Sequence, residues 1–192
     1  GVINLMVVRN GGTDGTVTVK YRTSDGASGF GWDRTAYAGA DYSSKFGTLS
    51  FLPGETAKAI QIPITNDGSV EKNEVFTVEL YSPQGGATLV TAKAVVTILE
   101  DDSSIEFGQS SYTVSEGAGL IAIKLTRKGS TAAAASIDVN INSGSASAGQ
   151  DFVKPASPTV TFAADESEKI VYLQIVDDVL KDADEWFYLS LT

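Results

Sequence analysis

Cysteine and histidine are both absent from this 192-residue chain. Without a thiol there is no disulfide and no thiolate nucleophile. Without an imidazole there is no histidine-centred triad and none of the usual zinc or iron sites. Only two tryptophans are present, too few to suggest the aromatic-lined groove that a glycosidase with paired carboxylates would need. An enzyme is not expected. Positive charge is short as well: 14 Lys and Arg stand against 24 Asp and Glu, a net charge of −10. A polyanion such as nucleic acid would be repelled overall, and cations are the natural partner. No apolar run reaches the roughly 18 to 20 residues of a membrane span, and "GVINLMVVRN" at the start has neither a basic n-region nor a small-residue cleavage site. The stretch is expected to be soluble and to make no membrane contact. It opens and closes inside what read as strands, so it is expected to be a piece of something larger.

The chain does contain short alternating runs rich in Val, Ile, Thr, Phe and Tyr. They are "TVTVKYRT" (16–23), "GTLSF" (47–51), "KAIQIPI" (58–64), "VFTVELY" (75–81) and "KAVVTIL" (93–99). Between them stand "NGGTDG", "SDGASG", "LPGE", "NDG" and "SPQGG", clusters of turn residues. No dozen-residue window has helical spacing, and the Ala-rich "STAAAAS" (130–136) is too short to make one. The fold class is all-β, with antiparallel sandwiches.

The chain also repeats. At an offset of 111, residues 48–80 lie on 159–191: Phe51 on Phe162, Glu55 on Glu166, Lys58 on Lys169, Ile64 on Ile175, Asp67 on Asp178, Glu74 on Glu185, Phe76 on Phe187 and Leu80 on Leu191. "AGADY" (38–42) matches "AGQDF" (148–152) with a loop one residue shorter. Two similar domains follow, joined at "EDDSS" (100–104).

The first copy, "AGADY…GTLSFLPGETAKAIQIPI…NDGSVEKNEVFTVELYSP…AVVTILEDD", and the second, "IEFGQSSYTVSEGAGLIAIKLTRKG…AGQDFVKP…DDVLKDADEWFYLSL", resemble the Calx-β motif. That resemblance implies two tandem immunoglobulin-like sandwiches. It places residues 1–101 in a domain lacking its first strand and 102–192 in a domain lacking its last. The insertion "GFGWDRT" (29–35), absent from the second copy, is expected to cap the end of its sandwich with Trp32 and Arg34, the alternative being that they touch a partner.

The resemblance further implies calcium as the cofactor, because carboxylates of calcium-binding members gather at one end of the sandwich. Calcium suits such loops, since it takes six to eight hard oxygens at loose geometry. Carried over residue by residue, the second domain offers Glu116, Asp151, Asp177, Asp178, Asp182 and Glu185. The first offers Asp41, Asp67, Glu71 and Glu74, then Glu100, Asp101 and Asp102 from the junction. Against the family pattern the first domain lacks a counterpart of Glu116 and has "NDG" in place of a run of three Asp, so the weaker site is expected there; charge agrees, since residues 1–101 hold 11 acidic and 8 basic side chains and residues 102–192 hold 13 and 6, giving −3 and −7. Calcium would stiffen the loops and the hinge. An EF-hand in "DDVLKDADEWF" is disfavoured, since Gly at the sixth position and flanking helices are missing. The competing reading is a metal-independent spacer or adhesion module whose acids only discourage sheet pairing. The setting is expected to be the cell surface or secreted space, and the incomplete sandwiches are expected to self-associate through open sheet edges.

Overall fold

A computed structural model describes residues 1–178 and 183–192. The chain forms two compact units, Gly1–Glu100 and Asp101–Thr192, and each is an antiparallel sandwich whose two sheets close over an apolar core.

In the first unit, β1 (Val2–Val8) pairs with β4 (Ala57–Pro63), and β3 (Phe46–Phe51), β2 (Val17–Asp25), β5 (Glu74–Gln84) and β6 (Lys93–Ile98) form the facing sheet in that order. The inward side of every strand is apolar because side chains alternate at a period of two. In β4, for example, Ile60 and Ile62 are buried and alternate with the exposed Ala59 and Gln61. Tyr42, Phe51, Ile60, Ile62, Phe76 and Val78 fill the core, and Tyr42 stacks on Phe76 with centroids 4.1 Å apart. The register of β2 against β5 slips between Thr18 and Lys20, and Ser82 lies there with φ of 49°. This bulge, which carries β5 three residues past the expected end at 81, is the kind of local twist that re-aims an edge.

In the second unit, β10 (Phe152–Val153), β12 (Glu168–Ile175), β8 (Leu120–Gly129) and β7 (Ser103–Phe107) make one sheet. β11 (Thr159–Phe162), β9 (Ala135–Ser143) and β13 (Phe187–Leu191) make the other. Phe152 meets Phe187 at 4.6 Å, the counterpart of the Tyr42–Phe76 pair. The same tight turn recurs as well: Leu52 N–H donates to Glu55 Oε2 at 2.7 Å and Lys58 pairs with Glu55, while Ala163 N–H donates to Glu166 Oε2 at 2.8 Å and Lys169 pairs with Glu166.

The units differ at their edges. β7 covers β8, pairing Ile105 with Arg127, and Arg127 is buried. Its counterpart Arg9 bonds the Asp14 and Gly15 carbonyls much as Arg127 bonds that of Ala133, yet Arg9 is only half-buried, because β1 pairs only with β4 among the described residues. Conversely, β6 flanks β5 and Phe76 is fully buried, whereas Phe187 on β13, flanked by β9 alone among the described residues, is half-buried.

The insertion does not cap the sandwich with its indole. Trp32 is 87% exposed. Thr35 and Ala36 close the end instead: both are buried, Thr35 bridges to Val75, and Ala36 N–H donates to the Val75 carbonyl at 2.9 Å. A short threonine and an alanine fit against the start of β5, where an indole is too large to enter a packed core.

Candidate metal centre

The turn "AGADY" aims the first carboxylate. Tyr37 N–H donates to Asp41 Oδ2 at 2.6 Å, and Thr65 N–H donates to the Asp41 carbonyl at 2.9 Å. The next residue, Tyr42, is anchored in the core and donates its hydroxyl to Asp25 Oδ1 at 2.6 Å. Burial, and then Asp25 itself, push the Tyr42 phenol well above its ordinary value. "AGQDF" is built identically, with Ser147 N–H to Asp151 Oδ2 at 2.6 Å and Val176 N–H to the Asp151 carbonyl at 2.9 Å. A backbone turn bolted to an aromatic anchor leaves its carboxylate little freedom.

Glu74 opens β5, and Glu71 lies in the loop before it. Each of Asp41, Glu71 and Glu74 offers an oxygen within 4.8 Å of the others. Partial burial pushes the Glu74 carboxyl up to about 7, helped by the charges of Asp41 and Glu71, a hydrogen bond with Asp41, and the charge of Glu100. Glu100 is drawn to this end because its N–H donates to Asn73 Oδ1 at 2.8 Å and its Oε2 accepts from the Glu71 N–H. Near neutrality three like charges at this spacing demand a shared proton or a cation. Lys72, next in sequence to Glu71, pairs with Asp33 of the insertion at 2.6 Å and holds that carboxyl below the usual carboxylate range.

Asp67 lies outside this trio and accepts from Ser69 N–H at 2.7 Å, a local turn. Glu100, Asp101 and Asp102, consecutive in sequence, also offer oxygens within 4.8 Å of one another.

In the second unit, the repeat makes Asp151, Asp182 and Glu185 the counterparts of Asp41, Glu71 and Glu74. Asp182 lies outside the described residues. Glu116 starts a short 3-10 turn, Glu116–Ala118, and its Oε1 accepts from Asp178 N–H at 3.4 Å. Asp177 lies close to Gly117, where an added Cβ would come within 3.6 Å of its Oδ2. Glu185 stands two residues before β13. Among the described residues, no three acids drawn wholly from this unit converge as Asp41, Glu71 and Glu74 do. Asp25 and Asn73 were not anticipated. Asp25 is part of a turn cluster in the sequence, and only the fold sets it against Tyr42.

In the first unit three acids thus gather where the "AGADY" turn meets the start of β5, and both copies of the sandwich match the sequence pattern of the Calx-beta domain, over residues 1–102 and 100–192. The chain belongs to the Calx-beta domain family. Sodium/calcium exchanger 2 of Homo sapiens is 30% identical over 210 residues, covering all of this chain and 22% of that protein. Sodium/calcium exchanger Calx of Drosophila melanogaster is 29% identical over 194 residues, covering all of this chain and 20% of that protein. The chain therefore spans about a fifth of these relatives, and their names are those of ion exchangers, not of enzymes. Among solved structures, CBD12 from CALX1.2 matches with TM-score 0.52 and 27% identity, covering 100% of this chain and 73% of that one. The calcium binding domain CBD12 of CALX1.1 matches with TM-score 0.52 and 30% identity, covering 93% and 71%. The match to these two-domain structures supports the tandem all-β architecture of this Calx-beta pair. No helix among the described residues is long and apolar enough to cross a membrane. The expected surface or secreted setting finds no support in these relatives.

Proposed function

We infer that this Calx-beta pair is a calcium-binding segment of a larger, exchanger-like protein, in which the ion orders loops at the end of each sandwich. The observation that carries this reading is the convergence of Asp41, Glu71 and Glu74 within 4.8 Å, where partial burial, together with the charges of Asp41 and Glu71, pushes Glu74 up to about 7. Carboxylates held by a bolted turn and the start of a strand supply the hard oxygens that calcium takes at 2.3–2.6 Å, and Glu100 stands ready to add another. The similar CBD12 structure of CALX1.1, a calcium binding domain, supports the same choice of ion. In the second unit Asp151, Asp182 and Glu185 would take the equivalent roles, with Glu116, Asp177 and Asp178 close by. Asp67, Asp101 and Asp102 remain secondary candidates. The open edges of β1 and β13 would further allow copies of the chain to associate, as unpaired strands do.

Thermal melts in calcium and in chelator test the reading. At 100 times its dissociation constant a single site stabilises by about 2.7 kcal/mol, a shift of several degrees for domains of this size. Identical melts would reject calcium binding and leave the metal-independent spacer.

A further inference from the structure

The two repeats share their cores but not the outward face of the sheet that carries β5 in one and β13 in the other. In the first unit that face is an ionic ladder. Arg22 pairs with Glu79 at 2.5 Å, Lys93 reaches Glu79 at 3.9 Å, and the Arg22 guanidinium lies 5.3 Å from the centre of the Tyr81 ring. In the second unit the register sets Asn142 opposite Tyr188 and Asn140 opposite Ser190. Asn142 Nδ2 donates to Ser190 Oγ at 3.1 Å, and Asn140 Nδ2 donates to Thr192 Oγ1 at 2.9 Å. Here, in a chain of net charge −10, the repeat has exchanged its ionic ladder for amides and hydroxyls.

Beside this ladder lie two aromatic rings. Trp186 and Tyr188, two residues apart and so on one face, have centroids 6.5 Å apart and planes inclined by 29°, and they are 60% and 53% exposed. The counterpart of Trp186 is Val75, fully buried beneath Thr35 at the end of the insertion and Ala36 just after it. The second unit has no such insertion, and it carries its largest side chain at that position in the open. The indole is also held in place. It lies against Gly144, where a Cβ would sit 2.4 Å from Trp186 Cε3. The main chain that carries the ring is anchored too: the backbone N–H of Trp186 donates to Ser145 Oγ at 3.0 Å, and its carbonyl accepts from Ala146 N–H at 3.0 Å. One face of a fixed ring is thus backed by main chain, and the other is offered to solvent.

We propose that this shelf of Trp186 and Tyr188, with Asn142 and Ser190 beside it, binds a neutral sugar ring of a glycan. The apolar C–H face of a pyranose stacks on flat aromatic rings, while its hydroxyls, each both donor and acceptor, match amide and hydroxyl partners. An anionic ligand would meet the repulsion of Asp184 and Glu185 next in sequence. A protein partner of ordinary kind would find amides and hydroxyls where an interface core is apolar. The proposal uses none of the converging carboxylates and is independent of calcium.

The test is fluorescence of a Trp32→Phe variant of the whole chain, which leaves Trp186 as the only indole, titrated with cellohexaose, laminarihexaose and N-acetylchitohexaose up to about 10 mM, the range of weak binding. The expected result is a saturable blue shift with at least one of the three, unaffected by chelator. Tyr188→Ala should weaken it by about tenfold. Isothermal titration should show the binding lost in Trp186→Ala, whose melting temperature should stay near that of the parent because the ring is exposed. No shift with any of the three sugars overturns the proposal, as does binding that survives Trp186→Ala. A shift produced by raising the protein concentration alone would assign the shelf to a second copy and equally overturn it.

Discussion

Glu74 concentrates the site's electrostatics in one side chain. Its folded pKa of about 7 lies above the ordinary 4.5, so between those values the folded state binds more protons than the unfolded one, and stability falls as pH rises through that window. In chelator, raising the pH from about 5.5 to 8 should cost the first unit about 1 kcal/mol through this group once solvent screening is allowed for. Glu74→Gln should remove that pH dependence, raise metal-free stability at pH 8 and abolish the unit's response to calcium. Melts of both proteins at the two pH values, with and without calcium, measure all three effects, and a variant that still gains from calcium would remove Glu74 from the site. Asp165 tests the local backbone. It has φ of 64° where the first repeat has Gly54 at 86°. Left-handed backbone is strained for any side chain, so Asp165→Gly should stabilise the second unit by about 0.5 kcal/mol and Gly54→Ala should destabilise the first by about 1 kcal/mol, both read from denaturant midpoints.

Among the elements, β1 is the most exposed to unwanted pairing. Its seven residues, "VINLMVV", contain no charge and no proline, and Val2, Met6 and Val8 face outward with more than half their surface exposed. Natural edge strands usually carry lysine, proline or a bulge to prevent association. Sedimentation of the chain should therefore show association that grows with concentration, and Met6→Lys should suppress it while leaving the melt unchanged. A wild-type chain that stays monomeric at high concentration would show this edge to be protected. The strands themselves were legible in sequence because alternation is local: the apolar face of "KAIQIPI" is the buried face of β4. The end of β5 was not, because the bulge at Ser82 arises from its register against β2, a pairing between segments far apart in sequence.

For the whole molecule, the repeat makes the two units separately testable. If each holds calcium, Glu74→Gln should remove the ion's effect from one unfolding transition and leave the other, and Glu185→Gln should do the converse. Calorimetry of the two variants with and without calcium resolves this, and one variant silencing both transitions would show that the units do not bind independently.

The sequence by itself determined the all-β class, the turn clusters between the strands and the period of 111. All of these rest on local alternation, turn chemistry or self-similarity, which need no knowledge of which segments meet. Tertiary structure decided which acids come together. Asp41 and Glu74 are 33 positions apart, and they converge because the Tyr42–Phe76 stack pins the residue after Asp41 and the residue two beyond Glu74 in the core. It likewise set Asp25 against Tyr42, turned Trp32 outward and left Trp186 open where Val75 is covered, since burial depends on what packs across the sandwich and no periodicity along the chain records that.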